Sequence, residues 1–324
     1  MSSFRPPALL RNHHLQSIFA TTGPRRLLVQ HRARRLREHG EYRLLDCGDG
    51  VRLLGHLSRQ PERSRGLAVL LHGWEGSADS LYLLSAGAQL FQAGFDVFRL
   101  NFRDHGPPHH LHPELFNSTR IDEVVGAVAA LHREFPALPL FLVGFSLGGN
   151  FALRVALRAP ARSIPLRRVV AVCPVLDPVN TMATLQDGWL YHHYFRRKWR
   201  RSLQRKLALF PQLDYGAALL QLRTLEAMND YFVPRFTEFP DSRAYLEGYS
   251  VVGEALAALA VPTHIISSRD DPVILAADLP RLAVNPLLAI ELTEYGGHCG
   301  FIENYRLHSW IDRRILALLV NDVA

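Results

Sequence analysis

Apolar and polar residues follow two different periods along this chain, and the order of those periods predicts the fold. Short continuous apolar runs, typical of strands buried on both faces of a sheet, are separated by stretches in which apolar residues recur every three or four positions, as in amphipathic helices. The apolar runs predict strands over residues 67–71, 96–102, 140–143, 167–176, 261–268 and 287–293. Strands that alternate with helices predict an α/β fold with a mostly parallel central sheet and helices on both faces.

Further elements complete this pattern. Residues 41–47 and 51–57 are two apolar runs joined by Gly48-Asp49-Gly50, a turn that tolerates positive φ, so they predict a β-hairpin at an antiparallel edge of the sheet. Helical spacing of apolar residues predicts helices over residues 81–93, 118–135 and 252–259, and a closing helix over 310–319.

Two segments do not fit the alternation. Residues 1–40 are rich in arginine and predict an arm that packs on the core through Leu10, Leu15, Ile18 and Phe19. From residue 177 to about residue 250 there is no clear strand, and aromatic and basic residues cluster, which predicts a mostly helical cap above the strand ends. We therefore divide the chain into an arm at 1–40 and a main domain at 41–324, with the cap insertion at about 177–250. The aromatic residues expected to shape a pocket under this cap are Trp189, Tyr191, Tyr194 and Phe195.

The strongest chemical signal is Gly144-Phe145-Ser146-Leu147-Gly148, which lies between a predicted buried strand and a predicted helix. This G-x-S-x-G pattern is typical of a strained turn that pushes a nucleophilic serine outward, with glycines where a side chain would collide with a neighbouring element. The alternative is a glycine-rich turn whose serine caps the helix. The context of strand, turn and helix favours Ser146 as a nucleophile.

Partners for this serine follow later predicted strands. His298 comes after the last strand, and Asp270 and Asp271 come after the strand before it. The chain order Ser, Asp, His is one of the known orders of a catalytic triad, in which histidine takes the serine proton and a carboxylate orients the histidine. We favour Asp271 as the acid, with Asp270 as the alternative and Asp177, one strand earlier, as a minor one.

A loop after the predicted strand at residues 67–71 holds His72-Gly73-Trp74. In folds of this kind, one backbone N–H from such a loop and one from the residue after the nucleophile form an oxyanion hole. The predicted donors are therefore the N–H groups of Trp74 and Leu147. The alternative is a turn that merely contains a histidine.

Composition limits the other possibilities. The 324 residues are 48% hydrophobic, no stretch reaches 18 apolar residues, and the N-terminus has no signal-peptide core, so we expect a soluble cytoplasmic protein. Cys47, Cys173 and Cys299 are far apart and have no C-x-x-C spacing, which indicates reduced thiols rather than a disulfide framework or zinc site. We expect no metal and no cofactor.

The net charge of +7 raises the question of an anionic partner. Aromatic residues do not interleave with the arginines of the arm, so nucleic-acid binding is not expected. We interpret the cationic residues between Arg196 and Lys206 as solvated surface. The alternative is that they make transient contact with an anionic lipid surface. The four histidines at 105, 109, 110 and 112 could indicate a metal site. Two prolines among them are incompatible with the helical spacing of a zinc-binding pair, so we expect a rigid loop at the pocket mouth instead.

Six motifs of the chain resemble those of the α/β-hydrolase superfamily, in its YheT-like branch, also called AB hydrolase family 4. They are NHHLQSI at 12–18, HGWEGS at 72–77, NFRDHG at 101–106, GFSLGGN at 144–150, DDP at 270–272 and GGHCGF at 296–301. The resemblance implies a triad of Ser146, Asp271 and His298 and esterase-type activity. The chain departs from the usual branch pattern at residues 228–230 and 245–246, inside the cap, which bears on substrate choice rather than on catalysis.

The sequence thus predicts a serine hydrolase that cleaves carboxylic esters, with short- to medium-chain or lipid-like acyl groups, through an acyl-enzyme intermediate. The expected partner is a small-molecule ester or lipid substrate, and the sequence does not indicate an oligomeric state. The alternative from a different class is a noncatalytic lipid- or partner-binding protein on the same scaffold.

Overall fold

A computed structural model describes residues 4–322, and these contain one eight-stranded sheet. Its strands are β1 (Gly40–Asp46), β2 (Arg52–Ser58), β3 (Leu67–Leu71), β4 (Asp96–Leu100), β5 (Leu140–Phe145), β6 (Leu166–Val172), β7 (Thr263–Ser268) and β8 (Leu288–Thr293). They lie in the order β1-β2-β4-β3-β5-β6-β7-β8. β1 pairs antiparallel with β2, and β2 with β4, while all other neighbours are parallel. The predicted mostly parallel α/β fold and its antiparallel edge hairpin are confirmed.

Helices cover both faces of the sheet. They are α1 (His13–Thr21), α2 (Arg25–Arg32), α3 (Arg34–Glu38), α4 (Leu81–Gln92), α5 (Ile121–Glu134), α6 (Leu147–Arg158), α7 (Pro178–Asp187), α8 (Trp189–Leu209), α9 (Gly216–Gln221), α10 (Leu225–Phe236), α11 (Ser242–Glu247) and α12 (Trp310–Val320). Short 3₁₀ turns lie at Ala8–Arg11, Pro160–Arg162, Pro211–Leu213, Glu254–Leu256 and Ala276–Arg281. No helix within residues 4–322 is both long enough and apolar enough to cross a membrane.

The core lies in two layers because successive side chains of a strand point to opposite faces. Val69 and Leu71 of β3 pack in a cluster with the apolar side of α5 and α6, whereas Leu70 packs in a second cluster with α4 and α12. All five residues of β3 are buried, as the continuous apolar run predicts for a strand covered on both faces.

The order of the strands determines where a ligand site forms. β3 has β4 on one side and β5 on the other, so the loops that leave the carboxyl ends of β3 and β5 diverge and leave a crevice between them. Open α/β sheets bind ligands in such crevices. The loop after β3 and the turn after β5 both meet there, as do the loops after β7 and β8.

The predicted helix over residues 252–259 is wrong. The segment forms only the 3₁₀ turn Glu254–Leu256. Gly253 before it has a φ of +66°, outside the helical region, and its N–H donates to the carbonyl of Arg281 rather than to a preceding turn. The segment therefore runs beside a distant part of the chain instead of continuing as a helix.

The arm packs on the core with a different side from the one predicted. Leu10 is buried, but Leu15 and Ile18 are exposed, and the buried residues of α1 are Gln16, Ser17 and Ala20. The polar side of α1 faces inward because its side chains form hydrogen bonds with the backbone of the loop after β8. Gln16 pairs with the N–H and C=O groups of Ile302, and Ser17 accepts from the N–H of His298.

The segment between β6 and β7 consists of α7 to α11, with no strand among them. Part of it has a small apolar cluster of its own, which includes Leu203, Met228 and Phe232. Lys206, which the sequence analysis placed on a solvated cationic face, is buried, because Asp104 and the carbonyls of His109 and His112 accept hydrogen bonds from its ammonium group.

Candidate active site

Ser146 occupies a strained turn between β5 and α6. Its φ is +55° and its ψ is −120°, a conformation that residues with a side chain rarely adopt. The flanking glycines are required by close backbone contacts. A Cβ on Gly144 would lie 2.0 Å from the carbonyl oxygen of Gly148, and one on Gly148 would lie 2.4 Å from that of His72. The turn therefore has the geometry that the G-x-S-x-G pattern predicts.

His298 lies between the serine and a carboxylate. Its Nε2 is 2.9 Å from Ser146 Oγ, and its Nδ1 is 2.9 Å from Asp271 Oδ2 and 3.1 Å from Asp271 Oδ1. Because a carboxylate only accepts hydrogen bonds, Nδ1 carries the proton and Nε2 is free to accept the proton of the serine hydroxyl. This is the arrangement that activates a serine as a nucleophile.

Asp271 is held in place by its own loop. Its Oδ1 accepts hydrogen bonds from the backbone N–H groups of Val273 and Ile274, at 2.8 and 3.0 Å, and the side chain is nearly fully buried. The minor alternative, Asp177, instead caps α7 and forms an ion pair with Arg281 at 2.6 Å. Of the three candidate acids, the structure brings Asp271 to His298.

Charge and burial act in opposite directions on His298. Burial is the largest single effect and disfavours the protonated imidazole, but the Asp271 carboxylate and the Cys299 side chain together outweigh it, so the pKa of His298 lies well above its ordinary value of 6.5. A base of this kind binds the serine proton more readily than free imidazole does.

The loop after β3 packs against the nucleophile. Gly73 lies against Ser146, since a Cβ on this glycine would be 3.1 Å from the serine Cβ, and the Gly73 N–H donates to Tyr82 Oη at 2.9 Å. Within residues 4–322, neither the N–H of Trp74 nor that of Leu147 has a hydrogen-bond acceptor. Both predicted oxyanion donors are therefore available for a ligand.

His72 has a structural place in this loop rather than an acid–base one. It is fully buried, its Nδ1 lies 2.7 Å from the Gly73 carbonyl, and its Nε2 accepts from the N–H of Phe102. Burial lowers the pKa of His72 to about 4, so the ring is neutral at physiological pH. It joins the carboxyl ends of β3 and β4.

Helix α8 covers the site. Phe195 stacks on Trp74 with ring centroids 5.4 Å apart, and Lys198 Nζ donates to the carbonyl of Glu75 at 2.8 Å. Beneath it is a cavity of about 850 Å³, which reaches both Ser146 and His298. The α8 residues that line it are Leu190, Tyr191, Tyr194, Phe195, Lys198, Arg201, Ser202 and Arg205.

Trp189, expected to line the pocket, is instead 73% exposed, because it is the first residue of α8 and points outward.

The histidine-rich loop does not form a cluster of metal ligands. His105 Nδ1 lies 2.7 Å from the Arg103 carbonyl, His109 contacts Ser202 of α8, and His112 contacts the backbone of Arg52. These three rings thus have separate partners, and His105 and His109 border the cavity, as a loop at the pocket mouth would.

Two thiols lie beside His298, a proximity that sequence spacing did not indicate. The sulfurs of Cys173 and Cys299 and a ring nitrogen of His298 all lie within 4.8 Å of one another, the one group in residues 4–322 with the spacing of a metal site. All three cysteines are free and buried. Both ring nitrogens of His298 already have partners, so a metal ion would displace Ser146 or Asp271.

The arm also contributes to the site, which the sequence did not predict. Ser17 Oγ accepts a hydrogen bond from the His298 backbone N–H at 2.8 Å, and Ser17 and Ile18 line the cavity. His14 Nδ1 lies 2.9 Å from Tyr191 Oη of α8. The sequence feature that could have predicted this contact is the polar pair Gln16-Ser17 within a short apolar helix, because such a pair indicates polar partners on the buried side of the helix.

Comparisons with known proteins agree with the fold. The sequence profile described as "Alpha/beta hydrolase family" matches residues 68–307. The chain is 28% identical to "Putative esterase YheT" of Escherichia coli (strain K12), over 84% of this chain and 81% of that protein. It is 26% identical to "Monoacylglycerol lipase ABHD2" of Danio rerio, over 63% of this chain but only 53% of that protein. The Pyrococcus furiosus esterase Pf2001 has a similar fold, with a TM-score of 0.59, 17% identity, and coverage of 88% of this chain and 93% of that one.

Proposed function

The chain belongs to the alpha/beta hydrolase family, and from that premise we propose that it is a serine hydrolase that cleaves carboxylic esters through an acyl-enzyme intermediate. The observation that carries the proposal is the position of His298, with Ser146 Oγ 2.9 Å from one ring nitrogen and Asp271 2.9 Å from the other. A noncatalytic scaffold has no need of both contacts together with a strained serine.

In the first half of the reaction, Ser146 Oγ attacks the ester carbonyl carbon while His298 Nε2 takes the hydroxyl proton. The N–H groups of Trp74 and Leu147 stabilise the negative charge on the carbonyl oxygen, and one donor of this kind typically contributes about 10²–10³ in rate. The C–O bond to the alcohol then breaks, and His298 delivers its proton to that oxygen. The acyl group remains bonded to Ser146.

In the second half, a water molecule attacks the acyl carbon while His298 takes one of its protons. The ester bond to Ser146 breaks, the serine oxygen regains a proton from His298, and the carboxylic acid leaves. Asp271 keeps the imidazole in the Nδ1–H tautomer throughout and stabilises the imidazolium that forms in each half. The residues in this scheme need no cofactor.

The substrate class we propose is a lipid-like ester. Tyr191, Tyr194 and Phe195 form an aromatic side of the cavity, which suits an acyl chain, and its volume of about 850 Å³ holds a ligand of drug-like or monoacyl-lipid size. Arg201 and Arg205 in the same lining suit an anionic or strongly polar group on the alcohol side. Relatives named as a monoacylglycerol lipase and a phospholipase support the same class.

Labelling with a fluorophosphonate probe tests the proposal directly. We expect the wild-type protein to form a covalent adduct that Ser146→Ala abolishes, with both proteins equally folded by circular dichroism. Hydrolysis of p-nitrophenyl esters from acetate to laurate then ranks the acyl chains, and monoacylglycerol against lysophosphatidic acid ranks the head groups. Folded wild-type protein that neither labels nor hydrolyses any of these would favour the noncatalytic alternative.

A further inference from the structure

The loop that carries His298 has little regular structure of its own. Four of the residues from Gly296 to Phe301 have positive φ, namely Gly296 at 152°, Gly297 at 53°, Cys299 at 61° and Phe301 at 47°. Two of them are not glycine, and such conformations persist only where surrounding contacts impose them. The position of the imidazole therefore depends on what packs against this loop.

Ser17 of α1 provides one contact at the histidine itself. Its Oγ accepts the His298 backbone N–H at 2.8 Å and donates to the carbonyl of His13 at 2.7 Å, one turn earlier in the same helix. The hydroxyl is thus oriented by its own helix, and its second lone pair is directed at His298. The residue is only 7% exposed, so water does not compete freely for the contact.

Gln16 provides a second contact at the other end of the loop. Its Oε1 accepts the N–H of Ile302 at 2.6 Å, and its Nε2 donates to the carbonyl of the same residue at 3.0 Å. A third hydrogen bond joins Nε2 to the carbonyl of Leu10, which fixes the amide within the arm. Gln16 is 1% exposed, and a buried amide with these partners holds two backbone segments in register.

The loop approaches α1 so closely that two of its residues must be glycine. A Cβ on Gly297 would lie 2.4 Å from the His13 carbonyl oxygen, and a Cβ on Gly300 would lie 2.4 Å from that of Gln16. Backbone therefore packs against backbone along one turn of the helix. Because neither side can shift without breaking these contacts, the helix and the loop form one rigid unit.

We propose that Gln16 and Ser17 are positioning residues of the active site, which hold the loop after β8 so that the His298 imidazole spans Ser146 and Asp271. The inference rests on the proposed function and extends it to a part of the chain that precedes residues 68–307, the segment matched by the family profile. The arm is then part of the catalytic apparatus, although neither residue touches the reacting atoms.

We expect Ser17 to affect the reaction rate through the position of His298. Without the acceptor, the His298 backbone is less restrained, and the contact of Nδ1 with the Asp271 carboxylate weakens. Burial lowers the pKa of His298, while the Asp271 carboxylate and the Cys299 side chain raise it, so a weaker contact with the carboxylate lets the pKa fall and slows proton transfer from Ser146. A displacement of about 1 Å of a catalytic group can cost on the order of 10²-fold in rate.

Steady-state kinetics with a p-nitrophenyl ester separates positioning from general support of the fold. Ser17→Ala should lower kcat by about 10- to 10²-fold with little change in KM, and the acid limb of the pH profile should move to lower pH. Ser17→Thr, which keeps the hydroxyl, should restore both. Leu15→Ala is the matched control, since Leu15 is on the same helix but is exposed. Equal kcat and equal pH profiles per folded molecule for Ser17→Ala and wild type would overturn the proposal.

A second measurement does not depend on catalysis. The proton on His298 Nδ1 gives a downfield NMR signal when it is hydrogen-bonded to a carboxylate, and its loss in Asp271→Asn identifies it. We expect this signal to broaden or move upfield in Ser17→Ala and to remain in Leu15→Ala. A signal in Ser17→Ala identical to that of wild type would overturn the positioning role, even if the protein proved to hydrolyse no ester. Conversely, a shifted signal in a protein without hydrolase activity would reject only the proposed function.

Discussion

Asp270 and Asp271 are adjacent in the chain, but their carboxylates bind different parts of the same loop. Asp271 accepts the His298 Nδ1–H at 2.9 Å, whereas Asp270 Oδ1 accepts the backbone N–H of Gly297 at 2.8 Å. Asp270 Oδ2 is buried and has no partner, and burial raises the pKa of this carboxyl. One aspartate therefore orients the imidazole, and its neighbour orients the backbone that carries the imidazole.

This difference predicts unequal effects of two matched substitutions. Asp271→Asn should lower kcat by about 10⁴-fold, because an amide no longer enforces the correct imidazole tautomer. Asp270→Asn should cost much less, since an amide oxygen still accepts the Gly297 N–H. Steady-state kinetics on both variants checks the assignment. A larger loss in Asp270→Asn than in Asp271→Asn would show that the acid has been assigned to the wrong residue.

The pH dependence of activity should reflect the raised pKa of His298. Only the neutral imidazole accepts the Ser146 proton, so kcat/KM rises with pH through the pKa of His298 in the free enzyme. Since Asp271 raises that pKa, the acid limb should lie above pH 6.5, the ordinary value for histidine. In Asp271→Asn the residual activity should have its acid limb at lower pH. Profiles of kcat/KM from pH 5 to about 9 measure the acid limb of each protein. Identical acid limbs in wild type and Asp271→Asn would show that Asp271 does not raise the pKa of His298.

Glu75 should make the fold less stable as pH rises. It follows Trp74 in the loop after β3, and burial raises its pKa from 4.5 to about 8, although the Lys198 charge opposes this. Between those two pH values the folded protein keeps a proton that the unfolded chain has released, so this residue lowers the free energy of unfolding progressively as pH increases.

Removing the titration should remove this contribution. We expect Glu75→Gln to be more stable than wild type at pH 8, and the difference to shrink toward pH 4.5. Urea unfolding across this range measures the difference, and Glu62→Gln is the control because Glu62 is exposed. A difference that does not vary with pH would mean that Glu75 ionises normally in the folded protein.

The buried ion pair between Lys206 and Asp104 should be a major support of α8. The two atoms Lys206 Nζ and Asp104 Oδ1 are 2.6 Å apart, and the side chains are 1% and 7% exposed. Lys206→Met leaves the carboxylate buried without its cation, a change that costs about 3–5 kcal/mol of unfolding free energy. Urea unfolding measures this cost.

Two comparisons check that the loss comes from the unpaired charge. Lys206→Met combined with Asp104→Asn should recover much of the stability, because the second substitution removes the uncompensated carboxylate. Arg197→Met, on the exposed side of the same helix, should change the free energy of unfolding by about 0.5 kcal/mol or less. If Arg197→Met and Lys206→Met lower the free energy of unfolding by the same amount, the buried ion pair does not stabilise α8 more than an exposed residue does.

Much of the geometry of the candidate active site could be predicted from local patterns. The turn around Ser146 requires Gly144 and Gly148 within two residues of the serine, so the requirement is visible in five consecutive letters. Buried strands are equally local, since each is a continuous apolar run. Because parallel strands end at the same edge of a sheet, the positions of Ser146, Asp271 and His298 after β5, β7 and β8 then bring them to one place.

Other features could not be predicted because they depend on partners distant in sequence. Lys206 looks like a surface cation until Asp104 is beside it, and the 252–259 segment looks helical until Gly253 pairs with Arg281. Whether a polar residue is buried is decided by the groups that can accept or donate its hydrogen bonds, and no local pattern records them.

The sequence by itself therefore determined the α/β architecture, the strained serine and the set of candidate partners, because each follows from a short-range pattern or from the order of strands. Only the tertiary structure decided that Asp271 rather than Asp270 meets His298, that two thiols lie beside it, and that α1 turns Gln16 and Ser17 toward its loop. The physical reason is that hydrogen bonds between distant segments have strict distances and directions, which exist only once both segments are packed.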